Sequence, residues 1–253
     1  MFSYAAKVDI GVHEEENDDR VLVGKTLLSD GVISGKSSEP YLLAAVCDGV
    51  GGLSRGYRAA EITLDVMRYL QRQNVDEKAI RNGIEEANRR VLLSQQEENC
   101  TEGMRSTISG FYADGATLLV FNAGDSRVYR FRYKYLMQVT KDDSLVQDML
   151  ELGGLTEEEA RFDPRRNIIN KCIGDSDVVQ PKIMDLSDDF SVGDLLLVCS
   201  DGISDVLEHQ VIQQTLYQHK ADPDLSLCCE KLISLATEQG SQDNMSVIVV
   251  RKE

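Results

Sequence analysis

The sequence predicts an α+β domain of packed layers with mainly antiparallel sheets. Three observations carry that reading. Short β-like runs gather toward both ends of the chain, two long helical stretches lie together between the first groups of runs, and no regular β–α–β alternation of the dinucleotide-binding kind is present.

The elements follow in order. Tyr4 to Val12, Arg20 to Leu28 and the apolar run Tyr41 to Cys47, bounded by Pro40 and Asp48-Gly49, read as three strands. Ala59 to Gln73 and Val75 to Gln95 carry apolar residues at helical spacing, among them Ala60, Leu64 and Met67, then Ile80, Ile84, Ala87 and Val91. Ser106 to Ala113, Thr117 to Asn122, Arg127 to Arg132 and Tyr135 to Val139 are short runs broken by Asp114-Gly115, Gly124-Asp125 and Tyr133-Lys134, the pattern of an antiparallel meander. Asp143 to Leu152 reads as helix. Gly153 to Asn170 is a polar excursion interrupted by Pro164, with a helix start at Thr156-Glu157-Glu158-Glu159. Val179 to Leu186 and Leu195 to Cys199 return to strand, Glu208 to His219 and Leu225 to Glu238 to helix, and Met245 to Val250 to a last strand.

The 253 residues, 42% hydrophobic and 28% charged, suffice for one large core with no break in composition, so one domain over 1–253 is expected. No run approaches the roughly 20 apolar residues of a membrane span, and Met1 to Asp9 lacks the basic start and apolar middle of a secretory signal. A cytoplasmic protein is expected. A net charge of −16 disfavours nucleic acid and anionic membranes as partners and suits basic partners or divalent cations. The six cysteines form no CxxC pair, and Cys47 and Cys199 close apolar runs as small core residues would.

The most informative feature is a recurrence of aspartate at the ends of apolar runs. Ala44 to Cys47 ends in Asp48-Gly49, and Leu196 to Ser200 ends in Asp201-Gly202. Asp125 follows Leu118 to Ala123 through Gly124, and Asp243-Asn244 directly precedes Met245 to Val250. Any one Asp-Gly reads first as a turn. Four in this context point further, because carboxylates gathered in one place must stay protonated or be neutralised by cations. His13, His209 and His219 lie at no ligand-like spacing from one another or from a cysteine, so Zn²⁺ has little to bind. Carboxylates with a backbone carbonyl suit Mg²⁺ or Mn²⁺, and a pair of such ions favours hydrolysis of a phosphate ester.

Six segments then resemble, in order and spacing, the bacterial-type members of the metal-dependent type 2C serine/threonine protein phosphatases. They are Asn17-Asp18-Asp19, Val46 to Gly52, Ala123 to Tyr129, Thr140 to Val146, Cys199 to Ile203 and Gln242 to Ser246, and together they span nearly the whole chain. The resemblance implies a four-layer αββα sandwich, two central antiparallel sheets flanked by helices, with the metal centre at one end. It implies that Asp48 bridges two core ions with the Gly49 carbonyl on one of them. Asp201 and Asp243 complete the other, Asp18 and Asp19 hold the first directly or through water, and Asp125 holds a weaker third ion with Asp201. Asp48, Asp201 and Asp243 would then act catalytically through a water between the metals, without a covalent intermediate. Asn244 and Thr107 fall in matching segments and are read as supports. Leu145 to Cys172 corresponds to the family's flap. A phosphorylated protein substrate, a serine/threonine kinase as counterpart and a monomeric state are the implied partners.

The chain departs from the family at three places. Glu14 stands where an arginine usually anchors the substrate phosphate, and a carboxylate repels that anion. Arg55 and Arg58, or Arg165 and Arg166 in the flap, are the candidate replacements; for Arg55 and Arg58 the plainer reading is solvated charge at a helix start. Asp143 replaces a frequent histidine, and Val50 a histidine of animal members. The rival functions are a pseudophosphatase that only binds and a phosphatase of small esters. No P-loop is present, since Gly49 to Gly52 lacks the Lys-Ser/Thr that should follow.

Overall fold

A strand whose side chains are nearly all apolar needs cover on both faces, and three runs here meet that description. Leu42–Cys47 (β5), Leu118–Ala123 (β7) and Leu195–Cys199 (β11) are buried at every residue. The computed structural model, which describes residues 1–50, 55–100 and 103–253, places these strands inside two stacked sheets, none of them at an edge.

The first sheet also takes Phe2–Asp9 (β1), Gly31–Lys36 (β4), Arg127–Arg132 (β8), Tyr135–Gln138 (β9) and Met245–Lys252 (β12), in the order β4-β1-β12-β11-β8-β9. The second takes Arg20–Val23 (β2), Thr26–Leu28 (β3), Ile108–Ala113 (β6) and Lys182–Asp185 (β10), in the order β10-β7-β6-β5-β2-β3. Every pairing is antiparallel. Alternate side chains go to opposite layers. Ala44 and Val46 face Val128, Leu196, Val198, Ile248 and Val250 between the sheets. Leu43, Ala45 and Cys47 instead pack on Gly56–Met67 (α1) and Glu77–Glu97 (α2). Leu195, Leu197 and Cys199 pack on His209–His219 (α6) and Ser226–Glu238 (α7). The result is the four-layer αββα sandwich.

Three expectations change. Arg20 to Leu28 is a β2–β3 hairpin rather than one strand, turning at Gly24 with φ 61°. Polar, exposed β4 carried no hydrophobic period and went unforeseen. The supposed meander is divided: β6 and β7 pair in the second sheet, β8 and β9 in the first, and the chain crosses at Gly124-Asp125-Ser126. That crossing sets Asp125 at the rim shared by both sheets.

The excursion after β9 carries Leu145–Glu151 (α3) and Glu157–Phe162 (α4), the latter with the foreseen capping box of Thr156 and Glu159. Its two ends are tied together, Leu145 N–H donating to the Ile168 carbonyl at 2.9 Å and Ser144 bridging Ile169. No described helix is long and apolar enough to cross a membrane.

Candidate metal centre

Strand direction decides where the acids fall. β5, β7 and β11 run toward Asp48, Asp125 and Asp201, whereas β2 and β12 start just after Asp19 and Asp243. The registers Arg20↔Cys47 and Cys199↔Val247 align those ends, so acids from five strands emerge at one end of the sandwich.

Asp48 is held by Thr107, whose Oγ1 accepts from the Asp48 N–H at 3.1 Å and whose N–H donates to the Asp48 carbonyl at 2.8 Å. Next to it, the start of α1 passes so close that a Cβ on Gly49 would lie 2.3 Å from the Gly56 carbonyl carbon, so only glycine fits. Asp18 caps that helix, its Oδ1 accepting from Tyr57 N–H at 2.7 Å. Asp19, 1% exposed between the sheets, accepts from Ser200 Oγ at 2.7 Å. Asp201 opens the short helix Asp201–Ser204 (α5). Asp125 sits on the Gly124 turn, where φ is +122° and a Cβ would strike Thr107 at 2.6 Å.

The electrostatics show that these groups share one site. Asp48 and Asp201 lie within hydrogen-bond reach of each other. Burial first, then Asp201, Asp19, Asp125 and Asp243, push the Asp48 carboxyl well above its ordinary range. Asp201 is raised likewise, by burial and then by Asp125, Asp243 and Asp205. Asp19 is pushed up to about 7 by burial, with Asp243 and Asp18 adding to it against the hydrogen bonds of Ser246 and Ser200. Asp125 also rises to about 7, through burial and the charges of Asp142 and Asp205.

Buried oxygens of Asp125 and Asp201 have no hydrogen-bond partner. An all-oxygen set of mutually repelling acids with orphaned lone pairs fits a hard divalent cation. Among the described residues no three acid, imidazole or thiol side chains already surround a single point as metal ligands do, so a cation has to draw the carboxylates in.

Asn244 is the clamp of the acidic loop. Its Oδ1 accepts from Asp18 N–H at 2.8 Å, and its Nδ2 donates to the carbonyls of Ile10 at 2.9 Å and Glu16 at 3.3 Å. Asn244→Ala is expected to weaken Mn²⁺ binding about 10- to 100-fold with little change in melting temperature in chelator, as titration calorimetry would show. Unchanged Mn²⁺ affinity would deny Asn244 that part.

Of the candidate arginines, Arg55 pairs with Glu98, and Arg58 with Glu61 at 3.1 Å and Glu98 at 3.9 Å. Arg165 is taken by Asp163 at 2.8 Å. Only Arg166 is brought to the acids, 3.3 Å from Asp205, in a cleft of about 650 Å³ that Asp125 and Arg127 also line. Gly51 and Gly52 of the second motif lie outside the described residues.

Two features escaped the sequence reading. Asp205 lies four residues after Asp201, at the C-cap of α5 with its N–H on the Asp201 carbonyl, and its charge reaches both Asp125 and Asp201; the spacing was legible once a helix was allowed there. Arg127 forms an ion pair with Asp142 at 2.7 Å beside Asp125, and nothing local in the sequence joins residues fifteen apart. Asp143, where the family often has histidine, is a tie: its carboxylate meets Lys171 at 3.1 Å and Lys182 at 2.8 Å, and its N–H donates to the Gly124 carbonyl at 2.8 Å.

Comparison with known proteins agrees with this geometry. The chain is 29% identical over 256 residues to the serine/threonine protein phosphatase PstP of Mycobacterium tuberculosis, a match that takes in 98% of this chain but 45% of that one. The chain thus spans about half the length of that relative. Its fold superposes on the serine/threonine phosphatase Stp1 from Staphylococcus aureus with a TM-score of 0.86 at 26% identity, covering 100% of this chain and 96% of the other. The catalytic domain of PstP in complex with two manganese ions gives a TM-score of 0.79 at 26% identity, covering 99% of each. The family model described as "Protein phosphatase 2C" matches residues 9–245, nearly the full length, and the chain belongs to that family.

Proposed function

We propose that the chain hydrolyses phosphoserine and phosphothreonine esters in proteins, opposing a serine/threonine kinase, with Mn²⁺ or Mg²⁺ at the end of the sandwich. The observation that carries this reading is the convergence of Asp19, Asp48, Asp125 and Asp201 on one buried site, with unpaired oxygens on Asp125 and Asp201. Family membership gives that site its chemistry.

Asp48, the Gly49 carbonyl, Asp18, Asp19, Asp201 and Asp243 would hold two core ions, and Asp125 with Asp201 and Asp205 a third. Bound ions would supply the Lewis acidity that phosphate-ester hydrolysis needs. The chain's own residues fix the rest. Thr107 holds Asp48 from both sides of its peptide, Ser200 orients Asp19, and Asn244 holds the Asp18 loop. The rigid strand ends keep the acids in place as charge changes.

Phosphate binding cannot come from position 14, where Glu14 is exposed and its charge helps raise the Asp18 carboxyl, after burial and Glu16. Arg166 takes that part instead. It reaches the cleft from the excursion between Leu145 and Cys172, which serves as the flap. A substrate that displaces the Arg166–Asp205 contact would leave Asp205 free for a cation.

The reading predicts preference for a polypeptide. A phosphothreonine peptide should be hydrolysed with a kcat/KM at least about tenfold above that of free O-phosphothreonine, the difference that flap contacts worth about 1.4 kcal/mol would make. Equal values would point to a phosphatase of small esters.

A further inference from the structure

Twenty-seven Lys and Arg side chains are spread over this acidic chain, and most are engaged by a carboxylate, a backbone carbonyl or an aromatic ring. Among the described residues, five make no ion pair, side-chain hydrogen bond or ring contact: Lys25, Lys36, Arg72, Lys78 and Lys231. Four of the five lie together. Lys25 and Lys36 line a depression of about 220 Å³, Lys25 lines a neighbouring groove of about 460 Å³, and Arg72 and Lys78 line a third of about 460 Å³. The depressions adjoin, for Lys25 and Gln71 line the first two and Tyr69 the last two.

Tyr69 stands on the 3₁₀ turn after α1 and is 75% exposed, a large ring left in water between two grooves. Its support is fixed. Gln71 reaches from the same segment to β5, its Oε1 accepting from Leu43 N–H at 2.8 Å, and the Gly24 N–H of the hairpin bonds the Leu43 carbonyl at 2.8 Å. Acids along the strip are few and mostly engaged: Asp76 caps α2 through Ala79 N–H at 2.8 Å, Glu86 is bound by Arg89 and Arg90, Glu253 near Lys36 is held by Arg251 and Ser3, and Glu39 makes no such contact.

The strip is remote from the metal centre. Arg20 begins β2 beside Cys47 at the metal end, whereas Val23 lies opposite Ala44, so the Lys25 turn marks the other end of the same sheet. Lys36 lies opposite Ser3 at the start of β1, six residues before Asp9, which pairs with Met245 next to the acids.

From this we infer that the strip running from Lys36 through Lys25 and Tyr69 to Arg72 and Lys78 is a docking surface for an extended acidic segment of a partner protein. Charge complementarity selects that occupant. On a molecule of net charge −16, a narrow acidic peptide gains by following this line of cations, none of which makes an ion pair, and loses wherever it leaves it. A membrane surface or a nucleic-acid duplex would bring the remaining acidic surface against its own negative charge. Tyr69 offers the ring on which an apolar side chain of the segment can pack, flanked by charges that steer it. The surface is independent of the phosphatase reading, since binding is measured without turnover.

The probe is a fluorescein-labelled peptide of alternating glutamate and leucine or alanine, titrated with the whole protein and followed by anisotropy. Wild type should bind it in a salt-sensitive manner. A variant with Lys25, Lys36, Arg72 and Lys78 all changed to Gln should bind at least about tenfold more weakly, the loss expected when several exposed pairs worth a few tenths of a kcal/mol each are removed. Tyr69→Ala should also weaken binding, and both variants should keep wild-type phosphate release from a small ester, since none of these residues touches the metal centre. Equal binding by wild type and the Gln variant, or no binding at low salt, would overturn the proposal. So would tighter capture of oligothymidylate or of phosphatidylserine vesicles than of the peptide. Folding of each variant is checked by its melting temperature, and Lys231→Gln, the remaining unpaired cation, should leave the peptide affinity unchanged.

Discussion

Asp201→Asn is expected to lower phosphate release from a phosphothreonine peptide by about a thousandfold or more, equivalent to about 4 kcal/mol of lost transition-state stabilisation. Asp201 is the acid with the most at stake: it is buried at the head of α5, carries an oxygen with no partner, and is coupled to Asp48, Asp125, Asp243 and Asp205. Replacing it by an amide of the same shape removes one of several charges that a cation must balance. The fold should survive, and in chelator the variant should melt at or above the wild-type temperature, because a buried carboxylate held among its own kind destabilises the folded state when ionised. Wild-type turnover in this variant would remove Asp201 from the site.

The second large effect joins pH, metal and stability. Asp19 and Asp125 are pushed up to about 7 in the folded protein, and burial with the neighbouring acids also raises Asp48 and Asp201 well above their ordinary range, against about 4 for an unfolded aspartate. Between those values the folded chain holds protons that the unfolded chain has released. Stability from these groups is therefore fully present below about pH 4 and is lost as pH rises through about 7. In chelator the melting temperature should fall between about pH 5 and about pH 8. Cations compete with those protons, so added Mn²⁺ should stabilise most at the higher pH, by about 5–10 °C at a hundredfold excess over Kd. Thermal melts at both pH values, with Mn²⁺ and with chelator, decide the matter; a metal-free melting temperature that is flat or rising with pH would contradict the buried acid cluster.

The fold was legible where burial wrote it into the sequence. β5, β7 and β11 are apolar at nearly every position because they are covered on both sides, and α1, α2, α6 and α7 show a helical period because only one face meets a sheet. β4 was not, since an exposed edge strand imposes no pattern. The division of the meander was hidden for a different reason. The step from β7 to β8 carries ordinary turn residues, and which sheet a strand joins is settled by long-range pairing, β8 with β11 and β6 with β5.

The site was legible to the extent that its acids end or begin strands. Asp48, Asp125, Asp201 and Asp243 all announced themselves in that way, and Asp18-Asp19 came through the family pattern. Asp205 caps the end of a short helix, so its spacing from Asp201 shows only once that helix is allowed, and the Arg127–Asp142 pair ties β8 to the loop after β9, which leaves no local trace. Position alone did not separate the arginines either. Arg55 and Arg58 follow the second motif closely, yet Glu98 at the end of α2 holds them, while Arg166 arrives from the excursion.

The most direct test of the account is phosphate release from a phosphothreonine peptide by the purified protein in Mn²⁺, in Mg²⁺ and in chelator. Release is expected with either cation and none in chelator, restored when Mn²⁺ is returned. Release that persists undiminished in chelator, or no release in either cation while calorimetry shows Mn²⁺ bound, would contradict it.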